Sequence, residues 1–281
     1  MKKIKKIIKS FVLFWGNILA TVRWFLYAMR EGDWHNYITI KLYEKPLCIL
    51  ANGPSLKKDI DDVAKKDYDF CVVNDFYKSP YYKEIQPRYH VLADPLYFTN
   101  YSEIEPILQI ADWELYLYVP YYAYKRYSFL RKIENKCIHV LPYHLMSYGG
   151  FKSIEFFLYK KGLSMPRPQN VLVPAIFNGI NAGYKDIIIY GADHSWTEGI
   201  RVNDLNQVCL ADTHFYDQTK ISLNPWRKAT EGRAIYKMHE ILRDLAKSFE
   251  SYHRLKSYAE IQGCHIVNKT KGSYIDAFDR N

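Results

Sequence analysis

Seven short apolar runs, each ended by a turn and followed by an amphipathic stretch, leave this chain very few folds to adopt. The runs cover residues 47–51, 70–74, 89–93, 114–119, 137–141, 187–190 and 265–268. They show little polar alternation, as expected of strands covered on both faces. Helical periodicity fills the intervals at 56–66, 101–110, 121–133, 150–161 and 173–182, and then a pair of helices at 227–246 and 249–262. Strands alternating with helices predict an α/β fold: a single Rossmann-like domain with a mostly parallel sheet, right-handed crossovers and helices on both faces. Residues 193–225 have neither period, and a stretch that long reads as a lid or binding segment. The expected organisation is an N-terminal helix over 1–30, a polar and aromatic connector over 31–45, and the Rossmann-like domain over 46–281 with its lid at 193–225.

The charge is unevenly placed. Of the net +9, seven units come from Lys2, Lys3, Lys5, Lys6, Lys9, Arg23 and Arg30, with no acid among the first thirty residues. A nucleic-acid-binding body would spread its basic excess over a groove-sized surface, so no nucleic-acid partner is expected. Apolar residues recur with helical spacing at Ile4, Ile7, Ile8, Phe11, Phe14, Trp15, Ile18, Val22, Phe25, Leu26 and Met29, opposite early lysines, Asn17 and Thr21. The charge-free run 10–22 is shorter than the ~20 residues a spanning helix needs. The reading is a basic amphipathic helix lying on an anionic membrane surface, peripheral or monotopic, at the cytoplasmic face. Five cysteines without short spacing read as buried small hydrophobes.

The chemistry gathers where strands end. The first run breaks into Asn52-Gly53-Pro54-Ser55 before a helical segment. Gly53 allows positive φ or a close backbone approach, Pro54 suits a first helical turn, and the free N–H groups there, with the Ser55 hydroxyl, attract an anion. Asn52 can hydrogen-bond a ribose, base or phosphate. This is neither a dinucleotide fingerprint nor a P-loop. Asn74 and Asp94 close the second and third runs, where an acidic side chain suits a ribose hydroxyl. The sixth run opens onto Gly191, Asp193, His194 and Trp196: a close approach, a sugar-binding carboxylate, a base and a stacking ring. In the lid, His214 follows Asp212 and sits among aromatics as a candidate general base, and Tyr216 is placed to donate to a departing phosphate. Lys220, Arg227 and Lys228 are further cations for phosphate. Asp59-Ile60-Asp61 and Asp67-Tyr68-Asp69 read as solvated charges, so no metal site is expected.

These motifs resemble, in order and near spacing, the bacterial sialyltransferases of glycosyltransferase family 42. The segments are Asn52-Gly53-Pro54-Ser55-Leu56, Asn74-Asp75-Phe76-Tyr77, Asp94-Pro95, Gly183-Tyr184-Lys185 with Tyr190-Gly191-Ala192-Asp193, and Thr213-His214-Phe215-Tyr216. The ending, His265-Ile266-Val267-Asn268 and Ser273-Tyr274-Ile275-Asp276-Ala277-Phe278, is similar as well. The resemblance runs from residue 47 to 278. It implies CMP-sialic acid or a related CMP-linked donor, inversion at the anomeric carbon and no metal cofactor. It would put Asn52, Ser55, Asn74 and Asp94 on the CMP side, Gly191 and Asp193 beside the donor, and His214 in the family's Ser-His-Tyr segment. The chain departs from the pattern at Asp94, where the family has asparagine, and at Gln218, where it has its catalytic histidine. Asn170-Val171 replaces a Thr-Ser pair, which makes Asn170 a further donor-side candidate.

The expected function is transfer of a CMP-activated sugar to a glycan or glycolipid acceptor at the cell surface, by an enzyme that can be a homo-oligomer. Two other functions fit the same turn: a Mg²⁺- and ATP-dependent diphosphokinase of the pterin type, which a chelator would inhibit, and a non-catalytic membrane-bound nucleotide-sugar-binding protein.

Overall fold

In a computed structural model, which describes residues 2–31, 34, 44–210, 223–228 and 234–280, all seven apolar runs are strands. In chain order the strands are β1 (Leu47–Leu50), β2 (Asp69–Val73), β3 (Tyr89–Val91), β4 (Leu115–Pro120), β5 (Ile138–Tyr143), β6 (Asp186–Tyr190), β7 (Ile200–Val202), β8 (Val208–Leu210), β9 (Asn224–Pro225) and β10 (His265–Asn268). Seven of them form a wholly parallel sheet in the order β10-β6-β1-β2-β3-β4-β5. From β1 the chain steps outward through β2 to β5, then returns to the other side of β1 with β6. The topological switch point, where open α/β sheets form a crevice, therefore lies between β1 and β6.

Both faces are covered. Leu47 and Ile49 of β1 pack with the helices Leu172–Ala182 and Met238–Gln262, while Cys48 and Leu50 face Leu56, Ile60 and Val63. Every residue of the helix Leu172–Ala182 is buried. Gly179 brings it close to the sheet, since a Cβ there would stand 2.6 Å from Leu47 Cδ2. Cys48, Cys71, Cys209 and Cys264 are buried free thiols, as their apolar surroundings suggest. Burial pushes the Cys48 and Cys71 thiols up and takes Cys264 to about 12.

Four helical elements differ from their sequence pattern. The stretch 56–66 is a 3₁₀ turn, Pro54–Lys58, followed by the short helix Ile60–Val63, with Asp59 between them at φ −109°, ψ −18°. The stretch 121–133 divides at the extended Tyr127. The pair at 227–246 and 249–262 is one helix, Met238–Gln262. Its polar interruption at Ser248 is buried, and the Ser251 hydroxyl has its one proton shared between the Lys247 and Arg167 carbonyls, each 2.9 Å away, so polar residues there face protein rather than end the helix. Its start is later than the periodicity implied, because Arg227 and Ile235 form an antiparallel bridge. Within 193–225 the described residues form a short helix, Trp196–Gly199, and the antiparallel sheet β7-β8-β9.

The N-terminal helix, Lys2–Glu31, is continuous and presents its polar side inward. Thr21 shares a 2.7 Å hydrogen bond with the Tyr148 hydroxyl, Trp24 packs edge-on against Tyr148, and Ala28 is buried. Most of the apolar stripe points away: Ile8, Phe11, Trp15, Val22 and Leu26 are between 48% and 63% exposed, while Phe14 packs edge-on against Phe151, Phe25 packs against Trp34 and Ile18 is half-buried. A helix of a soluble core does the reverse, and a contiguous uncovered stripe of this kind marks a membrane or partner surface. The run counted from sequence stopped at Arg23. The helical stretch Lys6–Arg30 is long and apolar enough to cross a membrane by length and composition.

Candidate functional site

The β1 and β6 ends lock together before they form a cleft. Backbone bonds extend the ladder past both strands, from Ala51 N–H to Tyr190 O and from Gly53 N–H to Gly191 O at 2.8 Å. Neither glycine has room for a side chain. A Cβ on Gly53 would stand 1.9 Å from Asp193 Oδ2 and 2.4 Å from Gly191 O, and one on Gly191 would stand 2.4 Å from Ala51 O. Gly53 itself is at φ −67°, so its need is for close approach rather than for positive φ, whereas Gly191 needs both, with φ +70°.

The anion at the Asn52-Gly53-Pro54-Ser55 turn is a residue of the protein itself. Asp193 accepts from the Ser55 hydroxyl at 2.8 Å and from the Ser55 N–H at 3.3 Å. A second anion at the same groups would meet this carboxylate. The turn's donors are thus spent on positioning Asp193, in place of the phosphate contact the sequence suggested for Ser55.

Beside this lock lies a cleft of about 200 Å³, lined by Asn52, Gly53, Asn74, Asn170, Gly191, Asp193, His194 and Trp196 among others. Eight of the sequence-derived candidates therefore meet there. Ser55 supports the wall through Asp193. Asp94 does not line the cleft: its carboxylate accepts the Leu96 N–H at 2.9 Å and caps the following turn. Asp212, His214, Tyr216, Gln218 and Lys220 lie outside the described residues.

Three amides shape the cleft. Asn52 donates to Val73 O at 3.1 Å, and its Oδ1 is buried without a partner among the described residues. Asn74 takes a left-handed backbone, φ +43°, a conformation asparagine tolerates, and its Oδ1 accepts the Ala93 N–H. Asn170 Oδ1 accepts the Leu172 N–H at 3.0 Å, which fixes the amide's orientation.

That orientation propagates to the histidine. Because Asn170 Oδ1 is an acceptor, the Tyr252 hydroxyl at 3.0 Å must donate to it. Tyr252 Oη can then only accept from His194 Nε2, 2.5 Å away. His194 is held as the Nε2–H tautomer, and its Nδ1 is left as an acceptor with no protein partner among the described residues. Burial lowers its pKa to about 3, so the ring stays neutral. Such a ring is a weak proton acceptor and a good hydrogen-bond acceptor, which narrows the base role the sequence gave it. Trp196 covers it, with ring centroids 4.2 Å apart. Tyr252→Phe is expected to cost about 2 kcal/mol, the worth of the two buried hydrogen bonds its hydroxyl makes, and to release the tautomer. Nitrogen chemical shifts of His194 should show protonated Nε2 in the wild type and a mixture in the variant.

A C-terminal turn clamps the β6 end. Thr270 Oγ1 accepts the Ala192 N–H, Ser273 Oγ donates to Ala192 O at 2.6 Å, and Tyr274 N–H donates to Asp193 O. Arg280 holds the turn by donating to the carbonyls of Thr270, Ser273 and Ile275.

No family model matches the chain, and no curated protein matches it by sequence. Among solved structures, it is similar to the MAf glycosyltransferase from Magnetospirillum magneticum AMB-1, at 12% identity and a TM-score of 0.45. The similarity covers 86% of this chain and 34% of that one, so the chain spans about a third of that protein's length.

Tyr252, Thr270, Ser273 and Arg280 were not among the sequence candidates. Tyr252 lies inside a long amphipathic helix, where a tyrosine at core spacing reads as packing. Ser273 stood within the ending that resembles the sialyltransferases, which was the one signal available. A second cavity of about 200 Å³ adjoins the cleft and shares Asn170 and Trp196 with it, adding Trp226, Arg227, Tyr236 and Asp244.

Proposed function

We propose that the chain is a membrane-associated glycosyltransferase whose nucleotide-sugar donor binds in the cleft between β1 and β6. The observation that carries this reading is the buried, unpartnered Asn52 Oδ1 at a topological switch point. A buried acceptor without a donor costs about 1–3 kcal/mol, and a ligand that donates to it, such as an exocyclic amine or a ribose hydroxyl, would recover that cost. The ordered motifs from Asn52 to Phe278 support a CMP-linked, sialic-acid-type donor, transferred with inversion and without a metal. The adjoining cavity supports a sugar site, since Trp196 and Trp226 offer apolar ring faces and Asp244 a carboxylate.

In this mechanism an acceptor hydroxyl attacks the anomeric carbon as the bond to the CMP oxygen breaks. The electron pair leaves with the phosphate. The hydroxyl proton passes to a base, for which His214 is the candidate from sequence, and Tyr216 and Arg227 meet the charge developing on the leaving group. His194 orients the reactants through Nδ1. The N-terminal helix keeps the domain at the cytoplasmic face, within reach of a glycolipid acceptor.

A thermal-shift panel of CMP, CDP, UDP, GDP and ATP tests the donor. Cytidine nucleotides are expected to stabilise most, with no dependence on chelator. A best response to ATP that is lost on chelation would instead indicate the diphosphokinase.

A further inference from the structure

We propose a second binding site, for the phosphate of an anionic membrane lipid, in the cavity between the N-terminal helix and the carboxyl ends of β4 and β5. This cavity, about 560 Å³, is larger than the switch-point cleft. Its walls are Arg23, Trp24 and Tyr27 from the helix, Tyr121 and Tyr122 after β4, and Arg167 from the loop before the helix Leu172–Ala182.

Two observations point to an anion. Neither the Arg23 nor the Arg167 guanidinium makes a hydrogen bond or ion pair among the described residues, yet both line the same cavity. Both residues are exposed, so solvent screens their mutual repulsion, but two guanidiniums without a protein partner facing one space are open to a shared anion, and the guanidinium fork matches phosphate bidentately. Arg23 is also the cation that interrupts the apolar sequence of the helix. A charge there is costly in lipid, so its position toward the cavity rather than on the uncovered stripe needs a reason.

Two more observations point to a lipid as the carrier. The wall holding Arg23 is the element whose opposite side is the exposed apolar stripe, so the cavity opens beside whatever that stripe enters. Trp24, Tyr27 and Tyr122 provide the aromatic lining found at membrane interfaces, where a chain can lie against rings below a bound headgroup. Arg167 and Pro168 line this cavity, and Gln169 and Asn170, the next residues, line the donor-side cavities. A lipid phosphate held by Arg167 would put its attached group next to the cleft. Its role as the acceptor's phosphate rests on the glycosyl-transfer reading; the binding itself does not.

The test is flotation of the full chain with phosphatidylcholine vesicles carrying phosphatidic acid, against vesicles carrying phosphatidylserine at matched charge. Wild type is expected to prefer phosphatidic acid by about tenfold, the scale of one charge-assisted phosphate contact. The double variant Arg23→Gln/Arg167→Gln should lose the preference while still floating, and Arg167→Gln alone should reduce it. Neutralising Lys2, Lys3, Lys5 and Lys6 should weaken binding to both lipids and keep the preference. Equal binding of both lipids by wild type with no thermal shift on soluble diphosphate, or an undiminished preference in the double variant, overturns the site. Equal binding of both lipids together with an Arg167-dependent thermal shift on soluble diphosphate would assign the cavity to a free phosphate and overturn the lipid assignment. None of these readouts involves nucleotide, so a failed donor panel leaves them unaffected.

Discussion

Gly53→Ala is expected to destabilise the protein by about 3 kcal/mol or more, the upper range for forcing an atom into a packed site. The methyl group would have to displace the Asp193 carboxylate and the Gly191 carbonyl, at 1.9 and 2.4 Å. The carboxylate could swing away only by giving up both Ser55 bonds, and the carbonyl is fixed by its own bond to Gly53 N–H. The strain therefore spreads into the β1–β6 junction, at the middle of the sheet. Urea unfolding measures it. Gly149→Ala is the control, because nothing lies within 4 Å of a Cβ there. Equal stability of the two variants would mean that the junction is looser than its geometry implies.

Acid is expected to unfold the protein from a pH well above the carboxylate range. Burial lowers His90 to about 4 and His194 to about 3, both below the ordinary value near 6.5. The unfolded chain takes up these two protons as pH falls through about 6.5, while the folded chain refuses them. Their contribution is thus complete above about 6.5 and is lost progressively toward about 4 for His90 and about 3 for His194. Each histidine should remove about 1.4 kcal/mol per pH unit, so the pair should remove about 5 kcal/mol by pH ~4.5, a large part of an ordinary domain's stability. His90 is committed on both nitrogens, to the Tyr82 hydroxyl at 3.0 Å and the Asn74 carbonyl at 2.7 Å, so its substitution disturbs the core. His194→Gln is the cleaner probe. Unfolding free energy against pH should lose about half its acid slope in that variant, and an unchanged slope would exclude His194 as a source.

The seven apolar runs were legible because β-branched and aromatic clusters ended by Gly, Pro or Asn have few other uses, and each became a strand of the parallel sheet. The convergence of Asn52, Asn74, Gly191 and His194 on one edge followed from that topology. Local spacing could not disclose partners distant in sequence. The Ser55 and Asp193 side chains bond across 138 residues, and that bond turns an anion-binding turn into an internally capped one. Tyr252 reaches Asn170 across 82 residues and was hidden in the helical period. Ser248 looked like a helix boundary because polarity normally marks one, and only its burial shows otherwise. On the N-terminal helix the periodicity was clear, but which side meets the domain depended on contacts at Thr21 and Trp24.

The central claim is that nucleotide binds between β1 and β6 through Asn52. The most direct measurement is calorimetric titration of CMP into wild type and Asn52→Ala, after urea unfolding has established that the variant is folded. The variant removes one bond to Val73 O, at a cost of about 1 kcal/mol, and deletes the buried acceptor. Binding to wild type that weakens at least about tenfold in the variant is the expected result. Equal affinity in the two proteins would contradict the assignment of this cleft.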